Sequence, residues 1–146
     1  MGVTTRNGDV RRRLPVVAVG FATASAISLV LPWVRTGDRT RSSIQLIASA
    51  GALDIIEGPS RVAVVVLWFL VPALVAAAML ALAAGRSTLT TVLLAPLGFV
   101  LAAMVGLLVV VAGSVVVWGA WLTGGFAAGA TIVAIVFLIG SSRTSA

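Results

Sequence analysis

Cysteine and histidine are both missing from this chain, and all ten of its basic residues are arginine. Without cysteine there is neither a disulfide framework nor a thiolate metal site. Without histidine the chain lacks the usual general base and the commonest metal ligand. Acidic residues are scarce as well: Asp9, Asp38, Asp54 and Glu57 are the full set. No glycine loop of the phosphate-binding kind and no nucleophile paired with a base can be read from the sequence. Ser25, Ser28 and Ser114 are expected to bond back to their own helices. The sequence therefore predicts no catalytic residue, no cofactor site and no metal site, and the expected protein is not an enzyme.

What is present is apolar. Of 146 residues 60% are hydrophobic and 10% charged, with a mean hydropathy of +1.19, whereas a soluble domain carries about 25% charged residues. One small soluble core cannot hide so much apolar surface, so the chain reads as a membrane protein. Its net charge of +6 is not gathered on one face. The arginines sit at the ends of apolar runs, where they suit anionic lipid headgroups, and no nucleic-acid partner is expected.

Four apolar runs are long enough to cross a bilayer core of about 30 Å. They cover residues 14–34, 62–84, 90–111 and 118–140. Arg11, Arg12 and Arg13 precede the first, and the small-residue tract from Ala22 to Ala26 gives it some likeness to a signal peptide. The run continues to Trp33, longer than a normal signal core, so a retained helix is expected. Residues 91–140 contain no charge, enough for two helices, with Gly113-Ser114 and Gly124-Gly125 bracketing the turn between them. The expected fold is an all-α integral membrane protein, a four-transmembrane-helix bundle over residues 14–140. A basic tail, 1–13, and a short tail, 141–146, are both expected in the cytoplasm of a bacterial inner membrane. Arg6, Arg11, Arg12, Arg13, Arg86 and Arg143 then lie inside, and Arg35, Arg39, Arg41 and Arg61 outside, as the positive-inside rule favours. Trp33, Trp118 and Trp121 would form an outer aromatic belt.

The outer loop, residues 35–61, is the longest polar connection. Four arginines against Asp38, Asp54 and Glu57 leave it near +1, and Asp38 is expected to pair with Arg35 or Arg39. Ser42-Ser43-Ile44-Gln45 has the form of a capping box, followed by apolar residues at helical spacing. This predicts a short amphipathic helix over 43–57, with Gly58-Pro59 as its stop. Ser87 or Thr88 is expected to cap the third span after the turn at Gly85-Arg86.

Inside lipid, helices associate through small residues that let backbones approach. Gly20, Ala24 and Ser28 in the first span, Ala73, Ala77, Ala81 and Gly85 in the second, Ala102 and Gly106 in the third, and Gly125 and Gly129 in the fourth recur at four-residue spacing. These are the expected packing stripes. Pro72 and Pro96 are expected to bend their helices. No ionisable residue falls inside a span, so the residues that proton-coupled transport requires are missing. Small multidrug transporters share only the helix count, since their membrane-embedded glutamate has no counterpart here. Candidate contact residues for a partner or for headgroups are Trp33, Arg35, Arg39, Arg41, Asp54 and Glu57, with Arg39 and Arg41 favoured for a partner.

The run Leu31-Pro32-Trp33, followed by Gly37-Asp38-Arg39-Thr40-Arg41-Ser42, resembles a pattern in small actinobacterial membrane proteins. There an L-P-W exit precedes a G-x-x-x-R-S element. Within that group it is similar to the accessory subunit, or lipid uptake coordinator, of the mycobacterial Mce lipid-import complex. The resemblance implies a protein of the mycobacterial cell envelope, docked beside a lipid-transporter permease and other integral membrane subunits. The expected function is a non-catalytic accessory or assembly role in envelope transport. A self-sufficient homo-oligomeric small transporter or channel is the alternative.

Overall fold

The computed structural model describes residues 4–52 and 58–142. In chain order it contains α1 (Thr4–Ser28), β1 (Pro32–Thr36), β2 (Arg39–Ser42), α2 (Ser43–Ala52), α3 (Gly58–Ala83), α4 (Ser87–Ala112) and α5 (Trp118–Ser142), with a 3-10 turn at Gly113–Val115. The chain is mostly helical. Ser87–Val111 and Trp118–Ser141 are each long and apolar enough to cross a membrane. Arg13–Ser28 and Trp68–Ala83 are shorter apolar helices.

The first helix stops before its apolar run does. The Leu29, Val30 and Leu31 amides bond back to the Ala26, Ile27 and Ser28 carbonyls at 3.2–3.3 Å, a tightened last turn. Pro32 follows; it has no N–H to offer and disfavours helix at the residue before it. The expected helix over 29–34 is thus replaced by a turn and a strand. At its other end α1 begins at Thr4, so the backbone of the expected tail continues into the helix.

β1 and β2 form a two-stranded antiparallel hairpin in the register Val34↔Arg41, Arg35↔Thr40, Thr36↔Arg39. Gly37 holds φ at 60°, the left-handed conformation that a two-residue hairpin turn needs at its first central position. The hairpin occupies the first part of the expected outer loop, where no strand was expected. It leads directly into α2, whose start carries the expected reciprocal pair. The Ser42 amide donates to Gln45 Oε1 at 3.0 Å, and the Gln45 amide to Ser42 Oγ at 3.4 Å. Asp54 and Glu57 lie outside the described residues. Gly58-Pro59, expected as a stop, instead opens α3, where a first-turn proline forfeits no helical bond.

α3 ends in a Schellman motif. Gly85 has φ 73°, the Arg86 amide bonds the Ala81 carbonyl at 2.8 Å and the Gly85 amide bonds Leu82 at 3.0 Å. The Arg86 carbonyl then accepts from the Thr90 amide at 3.0 Å. Arg86, and not Ser87 or Thr88, therefore holds the N-cap position of α4. Pro72 and Pro96 lie within continuous helices. Gly124-Gly125 lies inside α5, and the α4–α5 turn is confined to 113–117.

Buried positions reveal how the helices face one another. Pro15, Ala18, Ala22 and Ser25 from α1, with Leu29 just past its end, and Ala120, Thr123, Ala127, Ala130 and Ala134 from α5, are all buried and alternate in steps of three and four. That is the seam spacing of shallow-angle, antiparallel bundle packing. α5 packs most extensively on α4 and on α1, and α3 leans chiefly on α4. Most of the expected stripes lie off these seams. Gly20, Ala73, Ala77, Gly106 and Gly125 are exposed, and Ala24 and Ala102 are half-buried. Ser28 and Ala81 do face inward, and Gly129 is half-buried with the Phe21 ring 3.4 Å from where a Cβ would stand. Between α4 and α5 the close backbone approach occurs elsewhere, where a Cβ on Gly98 would overlap the Ala127 carbonyl and the Thr131 hydroxyl.

Candidate functional site at the hairpin end of the bundle

Leu31-Pro32-Trp33 carries the chain from α1 across the beginning of α5. The Val117 amide donates to the Trp33 carbonyl at 2.8 Å, and Val34 forms an antiparallel bridge with Val116. Gly119 leaves room for this seat, since a Cβ there would overlap the Pro32 carbonyl oxygen. The expected exit from a membrane is therefore a backbone-paired plug on the end of the bundle.

Beneath the plug lies a chain of buried hydroxyls. Ser28 Oγ is 2.7 Å from the Ser25 carbonyl and 2.7 Å from Thr123 Oγ1. Thr123 Oγ1 is in turn 2.9 Å from the Gly119 carbonyl, and Ser25 Oγ donates to the Thr123 carbonyl at 3.1 Å. The Ser28 and Thr123 hydroxyls hold two protons for three O···O contacts, so these contacts share their hydrogens. Ser28 thus back-bonds within α1 as expected and also reaches α5, whereas Ser25, for which back-bonding was expected too, donates across to α5. Ser114 is exposed.

Two tryptophans close the site. Trp33 is only 4% exposed, and its Nε1–H donates to the Ser28 carbonyl at 3.2 Å. Its ring meets Trp68 edge-on, with centroids 5.4 Å apart and planes at 72°. The Trp68 Nε1–H donates to Ser43 Oγ at 3.0 Å, and Ser43 Oγ donates to the Leu29 carbonyl at 2.5 Å. One hydroxyl thus links the end of α1, the first residue of α2 and the face of α3. Trp33 is core, which corrects its expected place in an aromatic belt; Trp118 and Trp121 remain 52% and 58% exposed.

The arginines divide into two kinds. Arg35 and Arg39 are exposed, and Arg35 Nε–H donates to the Gly37 carbonyl at 3.2 Å. Among the described residues neither forms the expected ion pair with Asp38. Arg41 is half-buried. Its Nη1–H donates to Ser49 Oγ at 2.6 Å, and Ser49 Oγ donates to the Gln45 carbonyl at 2.7 Å.

Two apolar cavities flank this arrangement, sharing Ile47 and Trp68 in their walls. The larger, about 430 Å³, opens between the end of α1 and the middle of α3 under α2 and is lined by Ala26, Val30, Ile44, Ala48, Phe69 and Pro72 among others. The smaller, about 320 Å³, lies toward α4 beside Met104 and Leu108. Ser43, Trp68, Gly119 and Thr123 are the site residues that periodicity did not reveal. Thr123 and Ser43 carry a faint signal, as hydroxyls within or beside apolar runs. Among the described residues, no group of acidic, cysteine or histidine side chains is placed to hold a metal ion. No family model matches the chain, and no curated protein or solved structure matches it either.

Proposed function

We propose that the chain spans a bacterial inner membrane four times, through α1, α3, α4 and α5, with both termini in the cytoplasm. In this reading it serves as a non-catalytic accessory subunit of a larger envelope transport complex. α3 and α4, with 26 residues each, reach about 39 Å at 1.5 Å per residue. The apolar part of α1, Leu14–Ser28, reaches only about 22 Å by the same rise. The plug makes up the difference. Non-helical backbone at membrane depth is tolerated when protein satisfies it, and Val116 and Val117 do so for Trp33 and Val34. α2 then lies as an amphipathic helix in the outer interface, with Ser43, Leu46 and Ile47 toward the bundle and Gln45 away from it.

The observation that carries the accessory reading is the use of the buried polar groups. Ser25, Ser28, Ser43, Thr123 and Thr131 all bond across or along helices, and every buried side-chain polar atom among the described residues has a partner. A transporter working alone needs polar or ionisable groups facing a path. Here those groups hold helices together. The outward chemistry left over is the hairpin tip with Arg35 and Arg39, whose guanidinium forks suit acidic residues on a neighbouring subunit. The resemblance of residues 31–42 to the lipid-import accessory subunit agrees with this, and a permease is the partner proposed. The competing reading is a self-sufficient homo-oligomeric transporter.

The test is purification of a tagged full-length chain in gentle detergent, with and without Arg35→Ala and Arg39→Ala together. The expected result is co-purification of integral membrane subunits that drops in the double variant while membrane insertion persists. A desolvated interfacial charge pair typically costs about 2–5 kcal/mol when one side is lost. Recovery of the chain alone as a homo-oligomer, with solute uptake in liposomes containing nothing else, would replace this reading with the competing one.

A further inference from the structure

Trp68 stands in the walls of both grooves, and Ile47 of α2 is the other residue they share. One indole and one aliphatic side chain thus part about 430 Å³ on the α1 side from about 320 Å³ on the α4 side. We infer that residues 58–71 of α3 form a hinged arm that turns about Pro72 and is latched by the Trp68–Ser43 hydrogen bond. Release of the latch joins the two grooves into one opening beneath α2. Nothing in this device requires the membrane placement proposed above.

The two halves of α3 are held differently. After Pro72, Val75, Ala78 and Ala81 are buried in steps of three, and Thr90 Oγ1 donates to the Ala78 carbonyl at 3.3 Å. The Schellman turn at Gly85 ties the same half to α4. Before Pro72 the packing thins. Val62, Val66, Phe69 and Leu70 are exposed and Val65 is half-buried. Among the described residues of that half, the buried side chains are Trp68 and Val71. Val71 adjoins the pivot, so Trp68 is the deep contact of the arm.

Pro72 places the pivot one turn after the latch. It has no N–H, so the Trp68 carbonyl lacks the amide that a proline-free helix would offer it. The turn that bears the latch is therefore the turn with a missing backbone tie, where helices bend. The latch consists of the Trp68 Nε1–H on Ser43 Oγ at 3.0 Å and an edge contact with Trp33 at 5.4 Å. Open grooves on both flanks let the indole move without displacing packed neighbours, which a close-packed core would forbid. Ser43 begins α2, which follows β2 without a linker, so the receiving half of the latch is joined to the hairpin.

The chain contains no cysteine, so spin labels can be attached to the full-length protein through pairs of substituted cysteines and their separations read by double electron–electron resonance. Exposed Val62 and Val110 report on the arm against the hairpin end of α4; exposed Leu80 and Val92 report on the packed half of α3. Ser43→Ala removes the acceptor of the latch. Trp68→Phe keeps a ring beside Trp33 without the N–H and leaves the Ser43–Leu29 bond in place, so it reads the latch even if Ser43→Ala fails to fold. Release should raise the population with a widened Val62–Val110 distance about fivefold, the effect of losing one ordinary hydrogen bond. The Leu80–Val92 distance should stay unchanged. Pro72→Ala, added to Trp68→Phe, should suppress the rise by restoring the missing backbone tie. An unshifted Val62–Val110 distance in Trp68→Phe would overturn the inference. So would equal movement of both pairs in that variant, which means that α3 leaves as one rod, or a rise undiminished by Pro72→Ala.

Discussion

Trp68 and Leu29 do not touch through their own polar atoms; the hydroxyl of Ser43 joins them, accepting from the indole at 3.0 Å and donating to the carbonyl at 2.5 Å. One proton and one lone pair thus fasten α2 and α3 to the end of α1. The Leu29 carbonyl belongs to the last turn before Pro32, where no following helix is available to satisfy it.

Ser43→Ala should therefore be costly for so small a change. It leaves an indole N–H and a carbonyl buried without partners, which costs about 1–3 kcal/mol. Thermal unfolding in detergent, followed by circular dichroism, should show a clear fall in Tm. A second variant, Ser43→Ala with Trp68→Phe, should regain part of the loss, since it removes the stranded donor. A Ser43→Ala protein as stable as the original would show that the bridge contributes nothing.

Thr123→Ala should cost less. Ser28 keeps the Ser25 carbonyl at 2.7 Å as an acceptor, and the Gly119 carbonyl keeps its helical amide. Interhelical side-chain bonds in membranes average about 0.6 kcal/mol. The same unfolding measurement should rank it between the unaltered chain and Ser43→Ala, and the reverse order would refute the account of shared protons.

Two glycines in one helix should respond in opposite directions to alanine. At Gly125 a Cβ meets open space, so Gly125→Ala should gain up to about 1 kcal/mol in helix propensity. At Gly119 a Cβ would overlap the Pro32 carbonyl, and a backbone atom cannot step aside cheaply. Gly119→Ala should lower Tm by several degrees and raise the exchange rate of the Val117 amide. Equal effects at the two sites would mean that the plug is not seated as described.

Topology has a direct assay because the chain contains no cysteine. Single cysteines at Thr4, Thr40 and Ser145 should react with a membrane-impermeant maleimide in intact cells only at position 40. Labelling at position 4 without labelling at position 40 would invert the proposed orientation.

The long helices were legible because their signal is coarse: stretches of 20 or more residues without a charge admit few other readings. The capping box at Ser42 and Gln45 was legible because it depends on residues three apart and on nothing distant. The hairpin was hidden in plain view. Gly37-Asp38 between Val34-Arg35-Thr36 and Arg39-Thr40-Arg41 is a two-residue turn signal with a strand on each side, outweighed by the expectation that arginines beside a span belong to a loop facing headgroups or a partner. Pro32 was a helix stop inside a run judged by hydropathy, a scale on which proline barely registers. The packing faces were illegible for another reason. With alanine and glycine in every phase of the helices, four-residue matches occur on all sides, and only contact with α5 selects the three-four seam. The Ser43–Trp68 bridge spans 25 residues, and no local pattern encodes it.

The seat of the plug also sets an order of assembly. Trp33 is paired with Val117, a partner 84 residues later in the chain (117 − 33). During synthesis the first helix emerges with the Trp33 carbonyl unmet by its final partner, and it stays so until the start of the fifth helix arrives. At a synthesis rate of about 5–20 residues per second, the wait is about 4–17 s. Until then the early segment is a client for whatever shields unfinished membrane chains, and a ribosome stall between α4 and α5 would strand it there.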